Sequence, residues 1–422
     1  MDPHVTEWLN LIIRWVHMIV GIAWIGASFY FVWLENNLNR TNPRDGLSGD
    51  LWAIHGGGIY HLEKYKLAPP KMPENLHWFK WEAYFTWITG VLLLGVVYYL
   101  NAEIYLVAPG SGIDSTTAIM IGVASLVAGW VIYNVLCNSA LGKTPIVLGV
   151  VLFVGLVAAA YGLTQVFSGR GAYIHVGAII GTIMVGNVFF VIMPAQRNLV
   201  KAIENNQEPD PALPAKGLLR SRHNNYLTLP VLFIMISNHF PSTYGHEYNW
   251  AILAGLSVFS ILVRHYFNTR HGSQKFAWTI PAAALGMVTL AFVSSPYANR
   301  PSTPVAKAPV TQTQASSEEV QTGNEHIAQS QGHDGSIPFS QINQVIQERC
   351  SVCHSATPTH AAFQTAPGGV VLDTPEEIKV NVPRIVAQTV TTKVMPLGNL
   401  TQMTDEERTL IGEWVEQGAQ IQ

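Results

Sequence analysis

The sequence predicts an all-α fold: a polytopic helical membrane bundle of about eight spans, a polar linker and a small helical C-terminal domain. Three observations predict it. Long apolar blocks fill the chain before residue 295, and a stretch rich in Pro, Gln, Ser and Thr follows them. Residues 338–422 then read as helix, Cys-x-x-Cys-His, methionine, helix.

The chain has 422 residues, 49% of them apolar and only 12% charged. That charge share is about half the average for a soluble protein. A net charge of −3 argues against nucleic acid as a partner. Three cysteines exclude a disulfide framework. The first apolar segment, 8–34, is too long for a signal core and lacks a small-residue cleavage site, so it is expected to stay as a membrane helix.

A helix needs about 20 mostly apolar residues to cross a bilayer core. Segments 8–34, 78–100, 115–137, 145–167, 171–193, 227–241, 249–267 and 276–294 meet or approach this. The sixth is the shortest, beginning at Tyr226 and ending near His239 and Pro241. Orientation follows from lysine and arginine in the short loops. Loops 1–2, 3–4, 5–6 and 7–8, with their flanks, hold fifteen of them, including Arg220, Arg222 and Arg264. The opposite loops hold only Arg170. Both termini are therefore expected on the outer, periplasmic face of a bacterial inner membrane. The division is 1–294 for the bundle, 295–337 for a flexible linker too polar to bury a core, and 338–422 for the last domain.

Cys350-Ser351-Val352-Cys353-His354 has the attachment spacing of c-type haem. Two thiols form thioethers with the haem vinyls, and the adjacent imidazole takes the proximal iron position. Met395 suits the sixth position, with Met403 as its alternative. A zinc site would have only two cysteines here. Thr404-Asp405-Glu406-Glu407 reads as a capping box opening a helix through Leu410, Ile411, Trp414 and Val415. The domain is thus expected to be a small, class I-like cytochrome c carrying covalent haem c.

Eleven of the fifteen histidines precede residue 295, and ionisable groups inside spans are costly and usually functional. His17 lies midway along the first span, with Arg14, Gly21, Trp24 and Ser28 on its face. That pattern suits a haem b held by His17 with a propionate on Arg14, or a histidine hydrogen-bonded within the bundle. By depth, His175 and His239 fall in the outer half and His77, His223 and His265 at the inner edge. Two such layers suit one or two b haems, or one haem and a substrate site, or ordinary interfacial histidines. His55-Gly56-Gly57-Gly58-Ile59-Tyr60-His61 is expected to be a glycine-flexible loop, and it lacks the features of a phosphate loop. Arg222, His223, Asn224 and Asn225 would read a planar polar ring or anchor a helix at the headgroups. Glu82 and Glu35 are candidate proton carriers.

The run Arg14-Trp15-Val16-His17 through Trp24-Ile25-Gly26, with His55-Gly56-Gly57-Gly58, His77-Trp78-Phe79-Lys80-Trp81-Glu82 and Arg222-His223-Asn224-Asn225-Tyr226, resembles the bacterial membrane-bound urate oxidases (urate hydroxylases). That resemblance implies eight spans joined to a cytochrome c. It also implies oxidation of urate to 5-hydroxyisourate in purine catabolism, with electrons passing to haem c and on to a soluble cytochrome or terminal oxidase. Urate, a flat anion with polar edges, suits Arg, Asn, His and stacking aromatics, and a histidine is the natural general base. On this footing His223, Asn224, Arg222, His55 and Glu82 are the catalytic candidates. Cys350, Cys353, His354, Met395, His17, His175, His239, His77 and His265 are the cofactor-binding candidates. The alternatives are a multihaem membrane cytochrome passing electrons from quinol to a periplasmic acceptor, and a transporter or sensor with a haem domain.

Overall fold

The computed structural model describes residues 3–108, 110–294, 337–361, 363 and 366–421. The expected linker, Ile337 excepted, lies outside them. Helix α1 (Pro3–Asn37) is followed by a hairpin of β1 (Leu47–His55) and β2 (Gly58–Tyr65). Then come α2 (Trp81–Leu93), extended by a π-turn over Leu94–Tyr99, the short α3 (Ala102–Tyr105), α4 (Ser115–Asn138) and α5 (Pro145–Thr164). Helix α6 (Gly169–Gly186) passes through a second π-turn, Asn187–Ile192, into α7 (Met193–Glu204). The bundle ends with α8 (Ala212–Ser237), α9 (Pro241–Tyr244), α10 (Asn249–Thr269) and α11 (Thr279–Val293).

Local signals start these helices where the sequence changes character. Asp114 caps α4 by accepting from the Thr116 and Thr117 amides. Ser168 caps α6 by accepting from Gly171, and Pro145 opens α5 with its preset φ. Among the described residues, seven helices are long and apolar enough to cross a membrane. The eighth long helix, α8, falls outside that group because Arg220, Arg222, His223, Asn224 and Asn225 occupy its first half. It nevertheless sits inside the bundle, packed on α6, α7 and α10. It also starts at Ala212, well before the expected 227, which carries Arg220 off the loop and into the interior. The α6–α7 helix likewise continues past the expected 193, because Pro194 falls in the first turn after the π-turn, where its missing donor is harmless.

The bundle inverts the usual burial of a soluble protein. Trp15, Ile22, Val135, Ile146, Leu285 and Phe292 face outward. His175, Asn187 and Ser237 are wholly enclosed. Contiguous outward apolar surface of this extent marks a surface that meets something other than water.

The glycine-flexible loop expected at His55–His61 is instead the tip of an ordered antiparallel hairpin. Its pairing runs from Leu47↔Tyr65 to His55↔Gly58, and Gly56 and Gly57, at φ 57° and 80°, close it. Two successive positive φ values are the type I′ geometry that matches strand twist. Trp52 stacks on His61 at 4.2 Å, and His61 Nε2 lies 2.9 Å from Asp50. Glu35, expected as a proton carrier, bonds Arg40 at 2.7 Å and Lys64 of β2, so it ties α1 to the hairpin.

Helices α12 (Phe339–Arg349), α13 (Pro375–Ile385) and α14 (Asp405–Glu416) form a C-terminal unit around a separate core of Ile342, Ile346, Ile378, Ile411 and Trp414. Full capping boxes open α13 at Thr374 and α14 at Thr404. Arg349 at the end of α12 makes a two-pronged bond to Glu407 of α14, at 2.9–3.1 Å. Partial burial alone would raise the Glu407 carboxyl, but Arg349 and the Thr404 amide hold it below the 4.5 of a free glutamate. Its stabilisation is therefore complete above that value and is lost as pH falls through the lower folded value. Glu407→Gln is expected to cost about 1–2 kcal/mol at neutral pH and to flatten the acid limb of the unit's melting profile. An unchanged acid limb would show that the pair does not hold α12 to α14.

This unit rests on the α3–α9 end of the bundle. Val394 packs against the bundle core. A Cβ on Gly398 would come within 2.8 Å of the Glu103 carbonyl, and one on Gly245 within 2.7 Å of Val394. At 398 only glycine permits the two backbones to come this close.

Candidate functional site

The polar residues of α8 meet those of α4 and α6 inside the bundle. Asn187 leaves the helical register on its π-turn, a geometry common at functional sites. Its Nδ2 donates to Tyr133 Oη and Asn224 Oδ1, both at 2.9 Å. Asn224 donates in turn to the Met184 carbonyl. Tyr133 Oη and His223 Nδ1 share a hydrogen bond of 2.8 Å, with Cys137 Sγ 3.9 Å from the same nitrogen. Arg220, 1% exposed, bonds Asn134 through Nη2 and lies 5.0 Å from the Tyr133 ring. On the other side of α8, Arg264 Nε donates to Asn225 Oδ1 at 2.8 Å, its guanidinium 4.0 Å from the Phe29 ring.

Several buried atoms in this region lack a partner among the described residues: Asn187 Oδ1, Arg220 Nη1, Asn225 Nδ2, Arg264 Nη2 and, on α2, Glu82 Oε2. An orphaned buried polar atom costs about 1–3 kcal/mol. Four of the five lie on or against α8, and each calls for a partner such as water or a bound molecule.

Of the catalytic candidates, the fold brings His223 and Asn224 together and keeps Glu82 at the start of α2 with one buried oxygen free. Arg222 points outward, since it is off the face shared by Arg220, His223 and Asn224. His55 is exposed at the hairpin tip. Sequence reasoning passed over Tyr133 and Asn187, counted Arg264 only as a loop charge, and placed Arg220 in the polar cluster before the sixth span without giving it a role. The available signal was a polar residue within an otherwise apolar run.

Three further histidines pair with hydroxyls of neighbouring helices. His17 Nδ1 meets Thr89 Oγ1 at 2.9 Å and His265 Nδ1 meets Tyr226 at 2.8 Å. Enclosed His175 gives Nδ1 to the Gly171 carbonyl at 2.8 Å, and its Nε2 accepts from Tyr99 at 3.2 Å, against Gly122 and Phe167. Both nitrogens are spent within the protein, so His175 does not fit as a haem ligand. His17 fits better, with Thr89 Oγ1 fixing Nδ1. His239 and His77 are exposed. No cluster of three metal-binding side chains occurs among the described residues.

In the C-terminal unit Cys350, Cys353, His354 and Met395 line one apolar cleft with Phe363, Pro367, Leu397 and Leu400. His354 Nδ1 lies 3.0 Å from the Val370 carbonyl, the partner that orients an iron-binding imidazole and frees Nε2. Burial lowers the His354 imidazole, opposed by that bond, which favours the neutral form a metal needs. Burial also pushes the Cys350 thiol up to about 12. Met403 is in the unit's core rather than the cleft, so Met395 is the methionine placed for an axial role. These residues fit a covalent haem c.

The arrangement is a helical bundle with an internal Arg–Asn–His–Tyr cluster and a separate C-terminal cleft. The family described as Urate oxidase N-terminal matches residues 3–295, most of the chain, and the protein belongs to that family. No curated protein and no solved structure matches it.

Proposed function

We propose that the protein oxidises urate within a bacterial inner membrane and passes the electrons to haem c held in the C-terminal cleft. The observation that carries this reading is the pair of partnerless Arg220 and Asn187 atoms buried around Tyr133 and His223, inside the segment that matches the urate oxidase family. The outward apolar surface supports a membrane location. The C-terminal unit rests on the end bearing few lysines and arginines, which supports a periplasmic cleft.

Urate and water give 5-hydroxyisourate, two protons and two electrons. Arg220, with one Nη unpaired, supplies the charge for a urate anion. The Asn187 amide offers a free acceptor for one of its polar edges. In the tautomer with Nδ1–H directed at Tyr133, His223 Nε2 holds a lone pair for a substrate proton. Tyr133, anchored by Asn187, fixes the ring's orientation.

Cys350, Cys353, His354 and Met395 would hold the haem c, which supplies a one-electron acceptor. Along α6 the cluster at Asn187 lies sixteen residues from Gly171 at the docked end, or about 24 Å at 1.5 Å per residue. That exceeds a useful single hop, so a carrier at mid-height is part of the proposal. His17, beside Thr89 in the middle of α2, is where a haem b would be held.

Spectra of the purified protein, taken without oxygen before and after urate, test the reading. Urate alone is expected to reduce the c-type band, with a b-type signal in a pyridine haemochrome assay. Reduction by quinol but not urate would replace the oxidase with a quinol-driven cytochrome.

A further inference from the structure

The loop that carries Met395 is also the loop that touches the bundle. Residues Thr392, Val394 and Gly398 bear on Gly245 and on the backbone of Glu103 and Ile104. Tyr105 closes the same short helix. Its ring lies 5.0 Å from the Arg170 guanidinium and 6.4 Å from the Tyr98 ring. Arg170 Nε donates to Tyr98 Oη and to Asn238, which locks the group in place. Tyr98 and Tyr99 both come from the first π-turn, and Tyr99 reaches His175. Burial raises the Tyr105 hydroxyl, with Arg170 opposing.

We propose that Tyr105 is the contact through which electrons leave the bundle for the C-terminal cleft, with Arg170 as its positioning residue. The inference rests on the haem-linked reading above. It assigns a role to an aromatic side chain that none of the substrate chemistry uses. Each urate releases two electrons and two protons. A haem c held by Cys350, Cys353, His354 and Met395 would supply a one-electron acceptor, so the two electrons would be passed on to the external acceptor one at a time. The Met395 loop seated on α3 is then the way in, and the face of the unit away from the bundle is the way out.

The test is rapid-mixing reduction of the full-length holoprotein by urate, without oxygen or external acceptor, with dithionite as a direct reductant. Tyr105→Ala is expected to slow urate-driven reduction by at least about tenfold, since small misplacements at a reacting contact cost up to ~100-fold. Its dithionite rate, haem spectrum and midpoint potential should match the parent. Tyr105→Phe, which keeps the ring, is expected to restore most of the rate. Gly398→Leu, which pushes the unit off Glu103 without altering Tyr105, should slow the urate-driven step in the same selective way. Equal urate-driven rates in Tyr105→Ala and the parent would overturn the proposal, as would a Gly398→Leu protein with the parent rate. If urate fails to reduce the parent but a quinol succeeds, the substrate reading falls and the same variants are read with quinol. If neither donor reduces the parent, no electrons leave the bundle and Tyr105 has no such role.

Discussion

His223→Gln is expected to lower kcat for urate oxidation by about 10²- to 10⁴-fold, the range of a lost general base, with KM changed far less. Gln is close in size and keeps a hydrogen-bonding group for Tyr133, so the cluster stays packed while the titrating nitrogen disappears. Arg220→Met separates binding from chemistry, because it removes the buried charge and keeps an unbranched apolar chain. That loss is expected chiefly in KM, by about 1.5–3 kcal/mol, the worth of a hydrogen bond to a charged group. Exposed Arg222→Ala should stay near the parent, although the two arginines are one residue apart on either side of Ser221. Steady-state kinetics on the three variants decides the matter. Equal losses in Arg220→Met and Arg222→Ala would mean that the face of α8 has been misassigned.

The second large effect concerns the two methionines of the C-terminal unit. Met395→Leu is expected to lower the midpoint potential of the c haem substantially within the roughly 0.8 V that axial ligation spans, and to stall reduction by urate. Met403→Leu is a volume-conserving change in a packed core and should cost less than about 1.5 kcal/mol in stability, leaving the potential in place. A potentiometric titration of both variants reads this directly. A shift in Met403→Leu with none in Met395→Leu would reverse the ligand assignment.

The long helices were legible because an unbroken apolar run of about 20 residues matches the thickness of a bilayer core and exceeds what a soluble helix needs to bury one face. The cleft was legible too, since Cys350, Cys353 and His354 sit together in sequence and the order of helix and methionine completes them. The hairpin was not. Gly56 to Gly58 read as flexibility, yet two positive φ values in succession build a rigid turn. At the candidate site, His223 and Asn224 were visible as polar residues at a span's edge. The start of α8 at Ala212 was not, and it decides that Arg220 rather than Arg222 faces inward. The π-turn that swings Asn187 toward Tyr133 leaves no mark in periodicity. The seating of the Met395 loop on Gly245 and Glu103 depends on contacts between distant segments, which no local pattern encodes.

The two ends of α6 give the reaction an electrical dimension. In the proposed arrangement, substrate oxidation occurs near Asn187 toward the inner face, and the acceptor is seated beyond Gly171 on the outer one. Each turnover therefore drives two negative charges outward across most of the insulating layer and leaves two protons behind. With the cell interior negative, every 100 mV contributes about 2.3 kcal/mol per electron in the forward direction. A charged membrane would then pull the oxidation along and be partly discharged by it, so the same protein should run faster in energised vesicles than in detergent.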